Sequence, residues 1–334
     1  MLADDFISYI RGVRRYSVRT QSLYGEVLKE FSGYADAGGD DGVLVKALTP
    51  RKIRDYEMYL ADERKLDART VNLHLSALSS FCRYLLSNGI LQANPVKLIK
   101  RPRTERRLPL FYRKDSMTDY FNDTAYNASA ESLQDFLSAY SSSSDSENAR
   151  KLCEMLYRRR LGRLMVSIFY ETGMRRSELI GLRVGSVDFN LRMITVRGKG
   201  DKMREIPMKP SLSEEILLYL SAVETMVGRK RGPAEPLLLT FSGKALYPVY
   251  VERSVREELG QEVSITGRKS PHVLRHTLAT ELLDDGADMY SIKELLGHSS
   301  LAATQVYTHN TVEKLKKVYS NAHPRAKRGG NNGD

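Results

Sequence analysis

Three prolines within fifteen residues, Pro95, Pro102 and Pro109, divide this chain in two. Each removes a backbone donor and clashes with the preceding turn, so no helix runs through NPVKLIKRPRTERRLP. A chain of 334 residues broken at this point reads as two domains, each with its own core. The break also concentrates charge. Lys100, Arg101, Arg103, Arg106 and Arg107 lie in a segment that is forced to be extended. Such a run is often no more than a solvated linker. Between two domains that grip a polyanion, it is also placed to follow a phosphate backbone.

The segment before the break is helical in pattern. Phe6, Tyr9, Ile10 and Val13 make one apolar stripe, and Tyr24, Val27, Leu28 and Phe31 another. Thr49-Pro50 reads as an N-cap with proline at the first helical position. A helix over 68–86 carries Val71, Leu75, Leu78, Phe81, Cys82 and Leu85, and Asn88-Gly89 stops it. The expected division is a small helical domain over 1–99, a basic linker over 100–109 and a larger domain over 110–334. Within the larger domain, residues 122–149 include SAYSSSSDSEN and read as a flexible insertion. Helical periodicity resumes at Leu152 and reaches Tyr170. MITV at 193–196 and MREIP at 203–207 are strand-like, with GKGD between them as a hairpin turn. The expectation is a mainly α protein with a small antiparallel β-sheet in the larger domain. The tail over 327–334 reads as disordered.

The net charge of +11 points to a polyanionic partner. An anionic membrane surface and an acidic protein are the alternatives. No run of 18 apolar residues is present, and MLADDFISYIRGVRRYS lacks an apolar block followed by a cleavage site. The expectation is a cytoplasmic chain with no membrane span, and nucleic acid is the favoured partner. Cys82 and Cys153 form no disulfide framework and read as small buried residues.

Four of the six histidines fall between His272 and His309, together with Arg275 and Tyr307. His272 and His276 have the i, i+4 spacing of a zinc helix, but Val273 stands where a general base would follow, and Arg275 puts a permanent cation beside the ligands. No metal or other cofactor is expected. Phosphate fits better. Arg275 lies one turn from His272, Arg175 follows Thr172-Gly173, Glu178 lies one turn further on, and Lys199 sits between two glycines of the hairpin. Two arginines, imidazoles, an ammonium and a phenol suit attack by the phenol on a phosphodiester. Fixed donors aimed at the phosphorane oxygens are worth about 3–4 kcal/mol each. An ammonium can protonate the leaving oxygen. The phosphotyrosyl ester is close in energy to the bond it replaces, so a strand can be resealed without ATP.

These motifs resemble those of the tyrosine recombinases (the phage integrase family), and among them the bacterial Xer site-specific recombinases. The matching stretches are TGMRRSEL at 172–179, RGKGDKMREIPM at 197–208, HVLRHTLATELLDDGAD at 272–288, IKELLGHSSLAATQVYTH at 292–309 and NAHPRA at 321–326, with YSVRTQSLY and LSALSSFCRYL in the first domain. Carried over by position, Arg175 and Arg275 resemble the two catalytic arginines and His272 the first catalytic histidine. His298 fills the place of histidine or tryptophan, Lys199 that of the general acid and Tyr307 that of the nucleophile. Glu178 resembles the supporting acid, and His276 a structural histidine.

The resemblance implies a core-binding SAM-like domain and a catalytic domain forming a C-shaped clamp on double-stranded DNA. It also implies a homo- or hetero-tetramer on two recombination sites, with the C-terminal helix docked on the next protomer. That helix would bury Val312, Leu315, Val318 and Tyr319. Chromosome dimer resolution, with a septal DNA translocase as a possible partner, is the biology the Xer resemblance implies. Inversion and mobile-element integration share the chemistry. A non-cutting DNA-binding protein and a strand-relaxing topoisomerase are the readings of other kinds. The filled catalytic positions argue against the first; how often a cut strand rejoins itself separates the second.

Overall fold

The computed structural model describes residues 1–104, 110–143, 146–198 and 201–297. The chain divides into two compact units, Met1–Arg107 and Leu108–Asp334.

The first unit is a helical bundle of α1 (Leu2–Gly12), α2 (Val18–Tyr34), α3 (Asp41–Ala47), α4 (Pro50–Met58), which runs on as a π-helical turn to Glu63, and α5 (Ala68–Ser87). Side-chain caps set the starts of these helices. Ser17 Oγ accepts from Thr20 N–H, Thr49 Oγ1 from Lys52 N–H and Asp67 Oδ1 from Thr70 N–H. The α5 stripe of Val71, Leu75, Leu78, Phe81 and Leu85 is fully buried against Phe6, Phe31, Ile53 and Leu60. Val13, by contrast, is exposed at the end of α1, because the helix has already ended beside it. The chain after α5 stays on the bundle. Val96 and Ile99 enter the core, Asn72 donates to the Pro102 carbonyl, and Arg101 Nη1 donates to Ser76 Oγ at 2.8 Å. The first residues of the expected linker therefore lie along α5. Lys100 and Arg103 are exposed; Arg106 and Arg107 lie outside the described residues.

The second unit is built around α8 (Glu147–Thr172), with α6 (Lys114–Asp123) and α7 (Ala130–Ser141) before it and α9 (Arg176–Gly181) after it. Strands β1 (Val187–Asp188), β2 (Met193–Arg197) and β3 (Met203–Pro207) form an antiparallel sheet in that order, with Ile194 opposite Ile206. Then follow α10 (Pro210–Val227), α11 (Pro248–Gly260), α12 (Pro271–Asp284) and α13 (Met289–Leu296). Helices α7, α10, α11 and α12 all pack against α8. That is why every side chain from Arg160 to Thr172 is buried, the pattern of a helix surrounded by others.

The segment over 122–149 corrects the sequence expectation. It is not a flexible insertion along its described length. It ends α6, makes a 3-10 turn and folds as α7. Leu133, Phe136 and Ala139 recur every three residues and are buried, with Phe136 against Tyr157. Ser129 caps α7, and Tyr140 donates to the Met226 carbonyl. Of the serines that suggested disorder, Ser138 and Ser141 lie on the exposed face of α7, and Ser146 caps α8. Cys82 and Cys153 are both fully buried and lie in different units, as free thiols. No helix among the described residues is long and apolar enough to cross a membrane.

Candidate active site

The site is assembled at two chain reversals. The first lies between α8 and α9. Gly173 ends α8 in the left-handed region, with φ at 58°. A Cβ there would stand 3.0 Å from Leu278 Cδ2 and closer still to Leu296 Cδ2. Glycine is therefore required both for the turn and for the approach of α12 and α13. Two residues later, Arg175 is the N-cap of α9. Its backbone N–H donates to Glu178 Oε2 at 2.7 Å, the half of a capping box that a glutamate at the third helical position supplies. Its guanidinium folds over the same carboxylate, Nη1 to Oε1 at 2.9 Å.

The second reversal is the end of α13. The last carbonyls of a helix have no partner within it and carry the negative end of its dipole. Here three guanidiniums take them in succession. Arg204 Nε donates to the Leu295 carbonyl at 3.1 Å, Arg275 Nη2 to Leu296 at 2.7 Å and Arg175 Nη2 to Gly297 at 2.8 Å. Arg275 Nη1 also donates to the Gly173 carbonyl, joining the two reversals. Arg175 and Arg275, 100 residues apart in sequence, thus meet on adjacent carbonyls.

Arg204 was not singled out by its sequence. It stands on β3, is buried, and holds both oxygens of Glu178, Nη1 to Oε1 at 2.9 Å and Nη2 to Oε2 at 2.8 Å. A signal existed. Met203 and Glu205 face out while Arg204 and Ile206 face in, so a cation occupies an inward position of an alternating strand. Such a position demands a buried partner.

The electrostatics follow from these contacts. Burial alone would raise the pKa of Glu178; the bonds and charge of Arg204, and then those of Arg175, overturn that and hold it down at about 2. Arg275 is pulled down to about 10, first by burial and then by Arg175 and Arg204, with Glu178 opposing. Among these four side chains, three guanidiniums face one carboxylate, an excess of two positive charges. That excess suits a phosphodiester.

His272 lies one turn before Arg275 on the exposed side of α12. Its pKa is lowered by partial burial and by Arg176, His276 and Arg275, against the opposing charge of Glu252. A neutral imidazole still donates through one ring N–H. His276 is exposed rather than built into the core. A recess of about 430 Å³ lined by Glu252, Arg256, Gly267, Arg268 and Lys269 opens before the start of α12. Among the described residues no three His, Cys, Asp or Glu side chains gather as a metal site. Lys199, His298 and Tyr307, with the apolar stripe from Val312 to Tyr319, lie outside the described residues. The hairpin base that leads to Lys199 is described, with Gly198 N–H donating to the Lys202 carbonyl at 2.8 Å.

A helical bundle followed by this helical unit with its three-stranded sheet and arginine-rich site defines a class. The chain belongs to the phage integrase family: residues 142–314 match that family, and residues 2–90 match the phage integrase N-terminal SAM-like domain. It is a site-specific tyrosine recombinase. It is 32% identical over 324 residues to the tyrosine recombinase XerC of Bacillus pumilus (strain SAFR-032), covering 96% of this chain and 95% of that one. To the tyrosine recombinase XerC of Bacillus subtilis (strain 168) it is 30% identical, with 96% and 95% covered. A crystal structure of the XerH site-specific recombinase bound to its difH substrate, in a pre-cleavage complex, shares the fold with a TM-score of 0.57 at 19% identity, over 95% of this chain and 84% of that one.

Proposed function

We propose that this chain cuts and rejoins double-stranded DNA at a specific site through Tyr307. The observation that carries the reading is the meeting of Arg175 and Arg275 on the adjacent carbonyls of Gly297 and Leu296. The next residue in sequence is His298, and Tyr307 follows nine residues later.

In this reading the two guanidiniums hold the non-bridging oxygens of the scissile phosphate, and His272 and His298 donate to the same group. The Tyr307 oxygen gives up its proton to solvent and forms a bond to phosphorus as the bond from phosphorus to the 5′ oxygen breaks. Lys199 gives its proton to that oxygen, which leaves as a 5′ hydroxyl. Glu178 orients Arg175. Attack by a 5′ hydroxyl of another strand reverses the step and releases the phenol. Lys100, Arg101, Arg103, Arg106 and Arg107 follow the DNA backbone between the two grips.

Four protomers act on two sites, and the reaction serves chromosome dimer resolution. Support for that role comes from the full-length match to proteins named tyrosine recombinase XerC. A septal DNA translocase is the proposed activator. A nicked substrate that loses its short leaving fragment tests the chemistry. Wild type should give a denaturant-resistant protein–DNA adduct, and Tyr307→Phe should bind the site and give none. An adduct from Tyr307→Phe would move the nucleophile elsewhere. DNA recovered with the protein from cells should concentrate at one chromosomal site; recovery at the ends of a mobile element would favour integration.

A further inference from the structure

We propose that Arg204 is a positioning residue for strand cleavage, holding Glu178, the base of the hairpin and the end of α13 in one register. The inference rests on the recombinase reading above.

Arg204 is 7% exposed and spends three N–H groups on two partners from different parts of the chain: both oxygens of Glu178 and the Leu295 carbonyl. Glu178 in turn grips Arg175 through backbone and side chain. Moving Arg204 therefore frees the carboxylate that aims Arg175. The same guanidinium packs under both glycines that flank the site. A Cβ on Gly297 would stand 3.0 Å from Arg204 Nη1 and 3.2 Å from its Cζ. One on Gly198 would stand 3.6 Å from Arg204 Nη1 and 3.6 Å from Glu178 Oε1. Gly198 precedes Lys199, and Gly297 precedes His298. Thus a single planar group supports the chain at the points from which both residues depart. Lysine cannot reproduce this arrangement, because its ammonium lacks the rigid fork that meets a carboxylate with two bonds while a third runs elsewhere.

The test is a cycle of Arg204→Met, Arg204→Lys, Glu178→Gln and the two double variants. Single-turnover cleavage of the nicked substrate and single-site binding are measured well below each variant's melting temperature. Arg204→Met should bind DNA within about twofold of wild type and cleave about 100-fold slower, the loss expected of a displaced catalytic group. Arg204→Lys should fall between. The double variant with Glu178→Gln should be no slower than the slower single variant, since both act through one carboxylate. Arg204→Met should also move the acid limb of the cleavage rate to higher pH, because Glu178 loses the cation that keeps its proton off. Adding Glu178→Gln should abolish that limb. A merely structural Arg204 would lower the melting temperature and leave the pH profile in place.

Wild-type cleavage by Arg204→Met, or losses that add independently in the cycle, would overturn the proposal and leave the recombinase reading standing. A wild-type chain that forms no adduct would sink both. If Arg204→Met does not fold, Arg204→Lys with and without Glu178→Gln decides by the same criterion of additivity.

Discussion

Arg275 and Leu296 are joined by a hydrogen bond from Nη2 to the backbone carbonyl at 2.7 Å, and the same guanidinium reaches back to the Gly173 carbonyl. Three segments of the chain thus share one side chain, and Gly173 lets them approach. Alanine at 173 would adopt a left-handed conformation and push into Leu296 and Leu278. Together the backbone term and the overpacking should cost about 2–4 kcal/mol. Calorimetry should show a melting transition lowered by roughly 5–10 °C. The penalty should be smaller in a Leu296→Ala background, where the side chain in the way is gone. An unshifted transition in Gly173→Ala would mean that the turn does not need glycine.

Lys199 and Arg175 are assigned different tasks, and a sulfur substrate separates them. Lys199→Ala should bind DNA normally and cleave about 10²–10⁴-fold slower, the range of general acid–base catalysis. A 5′-bridging phosphorothiolate leaves without a proton and should restore much of that rate. Arg175→Ala should stay slow on it, because charge on the phosphorane is still uncompensated. Equal failure of both variants would remove the general-acid role from Lys199.

Glu281 gives a pH prediction beneath the same helix. It is buried in α12 and accepts from the Tyr170 hydroxyl with both oxygens, at 3.1 and 2.8 Å. Burial pushes its pKa up to about 7, with the Tyr170 bond opposing. The folded state therefore binds this proton more tightly than the unfolded chain does. The stability so gained is complete below the ordinary carboxylate range and is lost as pH rises toward 7. Glu281→Gln keeps an acceptor for Tyr170 and cannot ionise. Its melting temperature should match wild type near about pH 4 and exceed it near about pH 8. Melting curves with a constant difference between the two pH values would show that folding leaves the Glu281 carboxyl unshifted.

What the sequence disclosed, and what it hid, follows from how each element is buried. Helix α5 was legible because one face is apolar and the other polar, and Asn88-Gly89 marks its end; its cap, Asp67, emerged only with the structure. Helix α8 was legible over Leu152 to Tyr170, but every side chain from Arg160 to Thr172 is buried, so its pattern does not tell an inner face from an outer one. Helix α7 reads as flexible from sequence because a serine run follows its polar outer face and few apolar residues, Leu133, Phe136 and Ala139 among them, mark its inner one. Strand β1 is two residues long, too short to show a period. In the site, the motifs pointed to Arg175, Glu178 and Arg275, whereas Arg204 was one of 52 basic residues, marked in sequence by no more than its place on an alternating strand and made distinct by its partners.

The three guanidiniums on α13 come from a helix cap, a strand and another helix, and each meets a different consecutive carbonyl. One residue added to or removed from within α13 would displace its end by about 1.5 Å and rotate it by about 100°. All three bonds would be lost in one step. Chain length between Met289 and Gly297 is therefore held as tightly as residue identity. In descendants of this chain, insertions and deletions should stop short of α13.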